Sequence, residues 1–451
     1  MARNFVDIDR QTRFLLPPDI REWIREDDLV HFVIEAVEGM NLSHFHVNKR
    51  GSGKAQYPPR MMLSLLIYCY SMGIFSSRRI ESATYRDLSV RYLCANTHPD
   101  HDTICSFRKR NFELISEAFL EVLKLAKKLK LLKVGTVSVD GTHIQASASK
   151  YKNVKYGRAG DLVEQLELDI AELMKQAEAA DSAEEADGQS LPEELSRREN
   201  LKAKLEKARS ALEKEAKKRA EIEREEYEEK VARREKRKGR AKGKEIQKAR
   251  EVPDESTQVN LTDTDSKLMR KNKREGYTQS YNGQIAVDAD GSQLILSAHI
   301  STSASDVHEL LPAVESIDAR LGKPDTVLAD TGYANADAFE ELEDQDVEPI
   351  VSISKDESHT KRQYEFRPET KPSQKKVTDP KLVEMQEKFD DEEVRLLYQK
   401  RKQTVEPVFG IIKQALGFRQ FLTRGVKSVT NEWKLVALAY NFKRLHALQA
   451  A

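Results

Sequence analysis

Residues 134–148 read VGTVSVDGTHIQASA, and the fold turns on how the Asp140-Gly141 pair inside them is taken. Val137 and Val139 alternate with small polar residues, the period of a strand with one buried face. The text reads as a strand that stops at Asp140. An Asp-Gly pair between two alternating runs is a strong hairpin signal. The same aspartate, held at a strand end beside a glycine, is also well placed to bind a metal. Taken alone, the pair leaves both readings open.

The chain has 451 residues, enough for two or three domains and a sizeable core. Its 75 basic and 75 acidic side chains cancel, so any affinity for nucleic acid has to come from local patches. Three cysteines, Cys69, Cys94 and Cys105, suit a reducing cytoplasm and argue against a disulfide framework. The opening MARNFVDIDRQTRFLLPP has no continuous apolar core and does not read as a secretory signal. The longest apolar run, MMLSLLIYCYSMGIF (61–75), is too short to span a bilayer comfortably. It follows two prolines and reads as a buried helix. A soluble cytoplasmic protein without a membrane partner is expected.

Residues 1–130 read as a helical domain. Helical spacing recurs in LPPDIREWIREDDLVHFVIEAVEGM and in DHDTICSFRKRNFELISEAFLEVLKLAKKLKLL, where Asp102 is a plausible N-cap. Short helices joined by tight loops fit a helix-turn-helix arrangement, which would bring Arg78, Arg79, Arg108, Lys109 and Arg110 to phosphates or bases. An ordinary bundle with solvated arginines fits the same text. Strand-like sequence from Lys133 is interrupted by a charged insertion over 156–255. Its two Ala/Leu/Glu/Lys-rich segments, separated by DGQSLPEE, predict an antiparallel helical hairpin of unequal arms. The longer arm ends in a tip with ten basic and two acidic residues between 231 and 250, either a solvated segment or a grip on DNA.

Beyond the insertion, YNGQIAVDADGSQLILSAHI reads as a hairpin turning at Asp290-Gly291. A helix (SDVHELLPAVESIDARLG), a strand (DTVLAD), a helix (NADAFEELEDQ) and a strand (EPIVSIS) follow. This order describes a mixed sheet with helices on its faces. A polar loop over about 355–390 precedes a long helix, DDEEVRLLYQKRKQTVEPVFGIIKQAL, and residues 426–451 form a final amphipathic helix.

In TVLADTGYAN a second apolar strand ends on an aspartate, Asp330, before a Thr-Gly turn, and Asn335 can cap the next helix. The long helix adds Glu406. Tyr398, Lys402, Glu406, Phe409 and Lys413 fall at spacings of 4, 4, 3 and 4, along one helix face, which predicts a buried glutamate. Pro407 breaks a local helix rule at the same spot. Three carboxylates from two strand ends and a helix can hold two Mg²⁺ ions about 4 Å apart for phosphodiester chemistry. Hard divalent cations favour such oxygen ligands.

With these motifs in order, the chain resembles the DDE transposases of bacterial insertion sequences, whose catalytic domain has the RNase H-like fold. The resemblance runs over nearly the whole chain and includes FSSRRIESATYRDLSVRYL and HPDHDTICSFRKR in the N-terminal region. It also includes RGVKSVTNEWKLVALAYNFKRL at the C-terminal end. VDGTHI matches the segment of the first catalytic aspartate, LADTGYAN the second, and YQKRKQTVEPVFGIIKQALGFRQF the tyrosine, basic residue, glutamate and lysine signature. The resemblance implies Asp140, Asp330 and Glu406 as catalytic and metal-binding residues for two Mg²⁺ or Mn²⁺ ions. Tyr398, Arg401, Lys402 and Lys413 join Arg78, Arg79, Arg108, Lys109 and Arg110 on the DNA-binding side. Lys402 stands where the family has arginine, with Arg401 beside it, which leaves the roles of the two open.

The implied architecture is α/β, an RNase H-like mixed-sheet catalytic domain (131–155 and 256–425). An all-α DNA-binding domain (1–130), the helical-hairpin insertion and a C-terminal helix complete it. The implied activity is binding of terminal inverted repeats followed by metal-dependent strand cleavage and transfer on double-stranded DNA, with a homodimer joining two ends. The alternative is a non-catalytic DNA-binding or scaffolding derivative, whose mark would be a missing carboxylate; none is missing. Two other signals are set aside. RGSGKAQYPP lacks the spacing and preceding strand of a phosphate loop. Cys94, His98, His101 and Cys105 do not have the ligand pairs of a common zinc finger.

Overall fold

Val137, Val139 and Ile144 are fully buried, and the strand that carries them does not stop at Asp140. The structure, a computed structural model, describes residues 19–46, 56–183, 190–236, 251–270, 276–353, 377 and 379–450. In chain order its strands are β1 (Thr136–Gln145), β2 (Asn153–Lys155), β3 (Gln258–Asn260), β4 (Lys267–Met269), β5 (Thr278–Asp288), β6 (Ile295–Ser301), β7 (Thr326–Ala329) and β8 (Glu348–Val351). β1 pairs antiparallel with β5 from Val137↔Asp288 to Gln145↔Ser280, with Asp140 opposite Ile285 and Gly141 opposite Gln284. The expected stop or turn at Asp140-Gly141 is therefore corrected. An unbroken ladder on the β5 side holds the pair extended in mid-strand.

β6 pairs antiparallel with β5 as the predicted hairpin, and Gly291 takes a positive φ in its turn. On the other side of β1, β7 and then β8 run parallel to it. The order β6-β5-β1-β7-β8, with β4 also on the outer edge of β5, is a mixed sheet of RNase H-like type.

Six helices precede β1: α1 (Leu29–Gly39), α2 (Pro59–Ser71), α3 (Ser77–Arg86), α4 (Leu88–Leu93), α5 (His101–Arg110) and α6 (Phe112–Lys128). α5 is capped by Asp100, which accepts from the Thr103 amide at 2.7 Å, and not by Asp102, which lies in its first turn. The insertion forms the predicted hairpin of α7 (Tyr156–Ala183) and α8 (Ser190–Lys236), rooted on the small β2–β3 sheet. The tip at 237–250 lies outside the described residues. α9 (Leu310–Glu315) is shorter than expected, and Asn335 caps α10 (Ala336–Asp344) as expected. The predicted polar loop contains a helix, α11 (Pro380–Lys388), opened by the Asp379 cap and a proline at its first position; residues 354–376 of that loop are outside the description.

The long helix is α12 (Glu392–Gly410), continued by a π-helical turn, Ile411–Ala415. Pro407 has no N–H for the Gln403 carbonyl, and the Gln293 side chain donates to that carbonyl instead, at 2.8 Å. α13 (Val426–Ala450) is not amphipathic as expected. It is buried nearly all round from Val429 to Phe442, because it packs against α1, α2 and α6 on one side and β6 on the other. One hydrophobic core thus runs from Ile24 through the sheet to Leu445.

A buried polar knot crosses this core. Glu432, fully buried on α13, accepts hydrogen bonds from the Leu422 and Thr423 amides and from the Thr423 hydroxyl. Its other oxygen lies 3.9 Å from Arg108 of α5. Removing the carboxylate strands two amides and a buried guanidinium. Glu432→Ala is expected to lower unfolding free energy by about 3–5 kcal/mol in urea denaturation.

Candidate functional site

Ser138, Asp140 and Thr142 alternate along β1 and so share one face of the sheet. Each meets α12 or the turn after it. The Thr404 hydroxyl donates to Ser138 Oγ at 2.9 Å. Arg401 Nη1 lies 3.7 Å from Asp140 Oδ2. Lys413 Nζ donates to Thr142 Oγ1 and, at 3.0 Å, to the His143 carbonyl. The helix is laid along the strand by polar contacts, over a base of buried Val405 and Val408.

Asp330 follows the last residue of β7. The parallel register ends at Ser138↔Leu328, two residues short of each aspartate, and the Asp330 charge is felt at Asp140. Asp330 Oδ1 accepts from the Gly332 amide at 2.8 Å and so caps the short 3₁₀ turn Thr331–Tyr333. Glu406 completes the set through Arg401, whose Nη2 lies 3.4 Å from Glu406 Oε1. A single guanidinium therefore bridges the Asp140 and Glu406 carboxylates.

Glu406 itself is half exposed, not buried as its neighbours in sequence suggested. Four-residue steps drift about 40° around a helix at each repeat. Tyr398 faces inward against Leu328 and Ile350 and meets Phe389 edge to face, at 5.0 Å between ring centroids. Lys402 and Glu406 have rotated out to the surface. The basic residue between the carboxylates is Arg401, on the buried side of α12, and its Nε is a buried donor with no hydrogen-bond partner.

Burial pushes the Asp140 carboxyl up to about 7 against the opposing pull of Arg401, and the charges of Asp330 and Asp306 add to the rise. Asp306 was missed in the sequence, where its stretch SDVHE reads only as a helix start. It stands close to Gly141 and Gly332, the glycines that follow Asp140 and Asp330. The donor set is all carboxylate, which suits a hard divalent cation and neither zinc nor a soft metal. Among the described residues no three carboxylate, imidazole or thiol groups stand close enough together to hold one ion. Arg401 occupies the ground between Asp140 and Glu406.

The basic residues predicted to meet DNA divide. Arg78 and Arg79 on α3 and Lys109 and Arg110 at the end of α5 are exposed. Arg108 is not available to DNA, contrary to expectation. It is 5% exposed and donates to the Tyr70 hydroxyl at 2.7 Å and the Phe75 carbonyl at 3.3 Å. In the Cys94–Cys105 stretch, His98 stacks on Tyr85 at 3.8 Å and contacts Thr84, while His101 pairs with Glu81 at 2.8 Å. No described helix is long and apolar enough to cross a membrane.

A carboxyl raised from 3.8 to about 7 makes the folded state bind more protons than the unfolded one between those values. Its cost to stability is full above pH 7 and fades as pH falls toward 4. Asp140→Asn is expected to raise the melting temperature of metal-free protein at pH 8, with the gain shrinking at pH 6 and vanishing near pH 4. Scanning fluorimetry across this range checks it.

The family described as Transposase DDE domain matches residues 254–442, which hold Asp330 and Glu406. The family described as Transposase domain (DUF772) matches residues 18–110, which hold α1 to α5. The comparison with curated proteins and that with solved structures return no match. β1 with Asp140 and the α7–α8 hairpin fall between the two matched stretches. A transposase domain ahead of a DDE domain, on an RNase H-like sheet, places this chain among the DDE transposases of insertion-sequence type.

Proposed function

We propose that the protein binds the terminal inverted repeats of its insertion sequence, cuts DNA there and joins the freed ends to a target, with Asp140, Asp330 and Glu406 as the catalytic carboxylates. The observation that carries this reading is the Arg401 bridge from Asp140 to Glu406, with Asp330 just past the end of the neighbouring strand β7 and its charge felt at Asp140. Asp140, Asp330 and Glu406 would hold Mg²⁺ or Mn²⁺. When bound, such a pair of ions activates water or a 3′-hydroxyl and stabilises the leaving oxygen.

The chain's own groups have separable parts in this reading. The β1 ladder fixes the backbone under Asp140. Lys413, tied to Thr142 and the His143 carbonyl, keeps the end of α12 against the strand and so fixes where Glu406 can reach. Arg401 turns Glu406 toward Asp140 and partly screens the two from each other; its planar fork also matches a phosphate. Exposed Arg78, Arg79, Lys109, Arg110 and Lys402 supply backbone contacts to the duplex. Joining two element ends calls for two copies of the chain.

Cleavage of a labelled element end with Mg²⁺ tests the site. Asp140→Ala, Asp330→Ala and Glu406→Ala are each expected to cut at least about 100-fold more slowly than wild type while still binding the end. A variant that cuts at the wild-type rate does not belong to the site. Wild-type protein that binds ends without cutting them would point to the non-catalytic alternative. For the DNA face, Arg78→Ala/Arg79→Ala is expected to weaken binding evenly across sequences. The slope of log affinity against log salt should become shallower by about 2, read by fluorescence anisotropy.

A further inference from the structure

Asp306 lies between β6 and α9, and its carboxylate does not cap the helix that follows. Both of its hydrogen bonds run across to β5 and end on one oxygen. Oδ1 accepts from Asn282 Nδ2 at 2.7 Å and from Gln284 Nε2 at 2.6 Å. Both amides are almost wholly buried, so an acceptor there is obligatory. The other end of Gln284 continues the chain, since its Oε1 accepts from the Tyr333 hydroxyl at 2.5 Å. Tyr333 is fully buried and closes the turn that Asp330 caps. One connected path thus runs Asp306–Gln284–Tyr333, from beneath β1 to the loop of the second aspartate.

Two glycines let this path form. A Cβ on Gly141 would lie 2.2 Å from Gln284 Nε2 and 2.8 Å from Asp306 Oδ1, closer than real Cβ atoms come. A Cβ on Gly332 would lie 2.9 Å from Asp330 Oδ1, with Asp306 Oδ2 at 3.6 Å. These are the glycines directly after Asp140 and two residues after Asp330. Gly141 is paired with Gln284 and alternates with Asp140, so Asp306 approaches β1 from the face opposite to α12. The site is gripped from both faces, by Arg401 on one and by the Asp306 path on the other.

We propose that Asp306 is a positioning residue: by fixing Gln284, Asn282 and Tyr333 it sets the spacing and orientation of the β1 segment that carries Asp140 and the turn after β7 that carries Asp330. This rests on the function proposed above. The role lies in hydrogen-bond acceptance, so an asparagine, which keeps an acceptor oxygen, substitutes well. An alanine leaves two buried amides unpaired and frees the Thr331–Tyr333 turn.

The test is Mn²⁺ binding to the full chain without DNA, followed by electron paramagnetic resonance, with end cleavage measured alongside. Asp306→Ala is expected to weaken Mn²⁺ binding at least about tenfold, as loss of supporting partners does at metal sites, and to slow cleavage in parallel. Asp306→Asn should stay within about threefold of wild type on the same scale. Wild-type affinity in Asp306→Ala overturns the proposal. An asparagine variant as weak as the alanine variant overturns it too, because charge and not hydrogen bonding would then be the property that counts. If near-ultraviolet circular dichroism shows Asp306→Ala unfolded, Gly141→Ala, whose methyl group displaces the same contacts, is expected to show the same tenfold loss, and wild-type affinity there overturns the proposal. Wild-type protein that binds no Mn²⁺, or binds it equally in Asp140→Ala, would instead refute the site reading itself.

Discussion

The pairing of β1 with β5 straight through Asp140-Gly141 is the constraint on which the site depends. A turn at this dipeptide would have sent Thr142 and Ile144 away from the sheet. Held extended, the strand deals its side chains alternately to two faces. Ser138, Asp140 and Thr142 go to α12, where Thr404, Arg401 and Lys413 meet them in the same order. Gly141 goes to the other face and leaves room for Gln284 and Asp306. The hairpin signal in the dipeptide was real as local propensity. Nine register pairs to β5 outweigh it.

The N-terminal helices are not hung on this sheet by a linker; they share its core. α13 is the shared element, apolar against α2 and α6 on one side and against β6 on the other. Arg108 shows how closely the parts are joined. As a surface arginine on α5 it would serve DNA; in place it is a buried cation between Tyr70 of α2 and Glu432 of α13. Such a knot contributes less to stability than apolar packing of the same volume, but it penalises any docking that leaves its charges unpaired.

Much of this was legible because strands and helices announce themselves by period. The β6-β5-β1-β7-β8 strand order follows from a hairpin and two crossovers, each marked by turn residues. Asp330 was legible as a strand end beside a glycine, and Glu406 as a carboxylate next to a helix-breaking proline, whereas Asp140, read as a strand end, lies in mid-strand. What sequence spacing did not reveal were the angles and the partners across the sheet. Spacings of four made Tyr398, Lys402 and Glu406 look like one face, yet accumulated drift put the tyrosine inside and the other two outside. Of Arg401 and Lys402, whose roles the sequence left open, it is Arg401 that meets the carboxylates. Asp306 was hidden for another reason: its partners Asn282 and Gln284 lie more than twenty residues away, on a strand whose polar positions look like solvent-facing alternation. The signal that existed was indirect, a glycine shortly after Asp140 and another shortly after Asp330.

Charge balance connects these pieces. Asp140, Asp330, Asp306 and Glu406 bring four carboxylates to one end of the sheet, and Arg401 is the cation bound directly to two of them. Burial is the largest cause of the rise of the Asp140 carboxyl to about 7; the Arg401 guanidinium opposes it, and the charges of Asp330 and Asp306 add to it. A structural ion-pair network would be expected to match its charges, since an unmatched carboxylate in a half-buried cleft costs stability with no return. In the proposed reading, a hard cation would add positive charge to this all-oxygen set. Arg401 is the counter-charge that joins Asp140 to Glu406, while the two glycines leave room for Asp306 to hold β1 and the turn after β7 together.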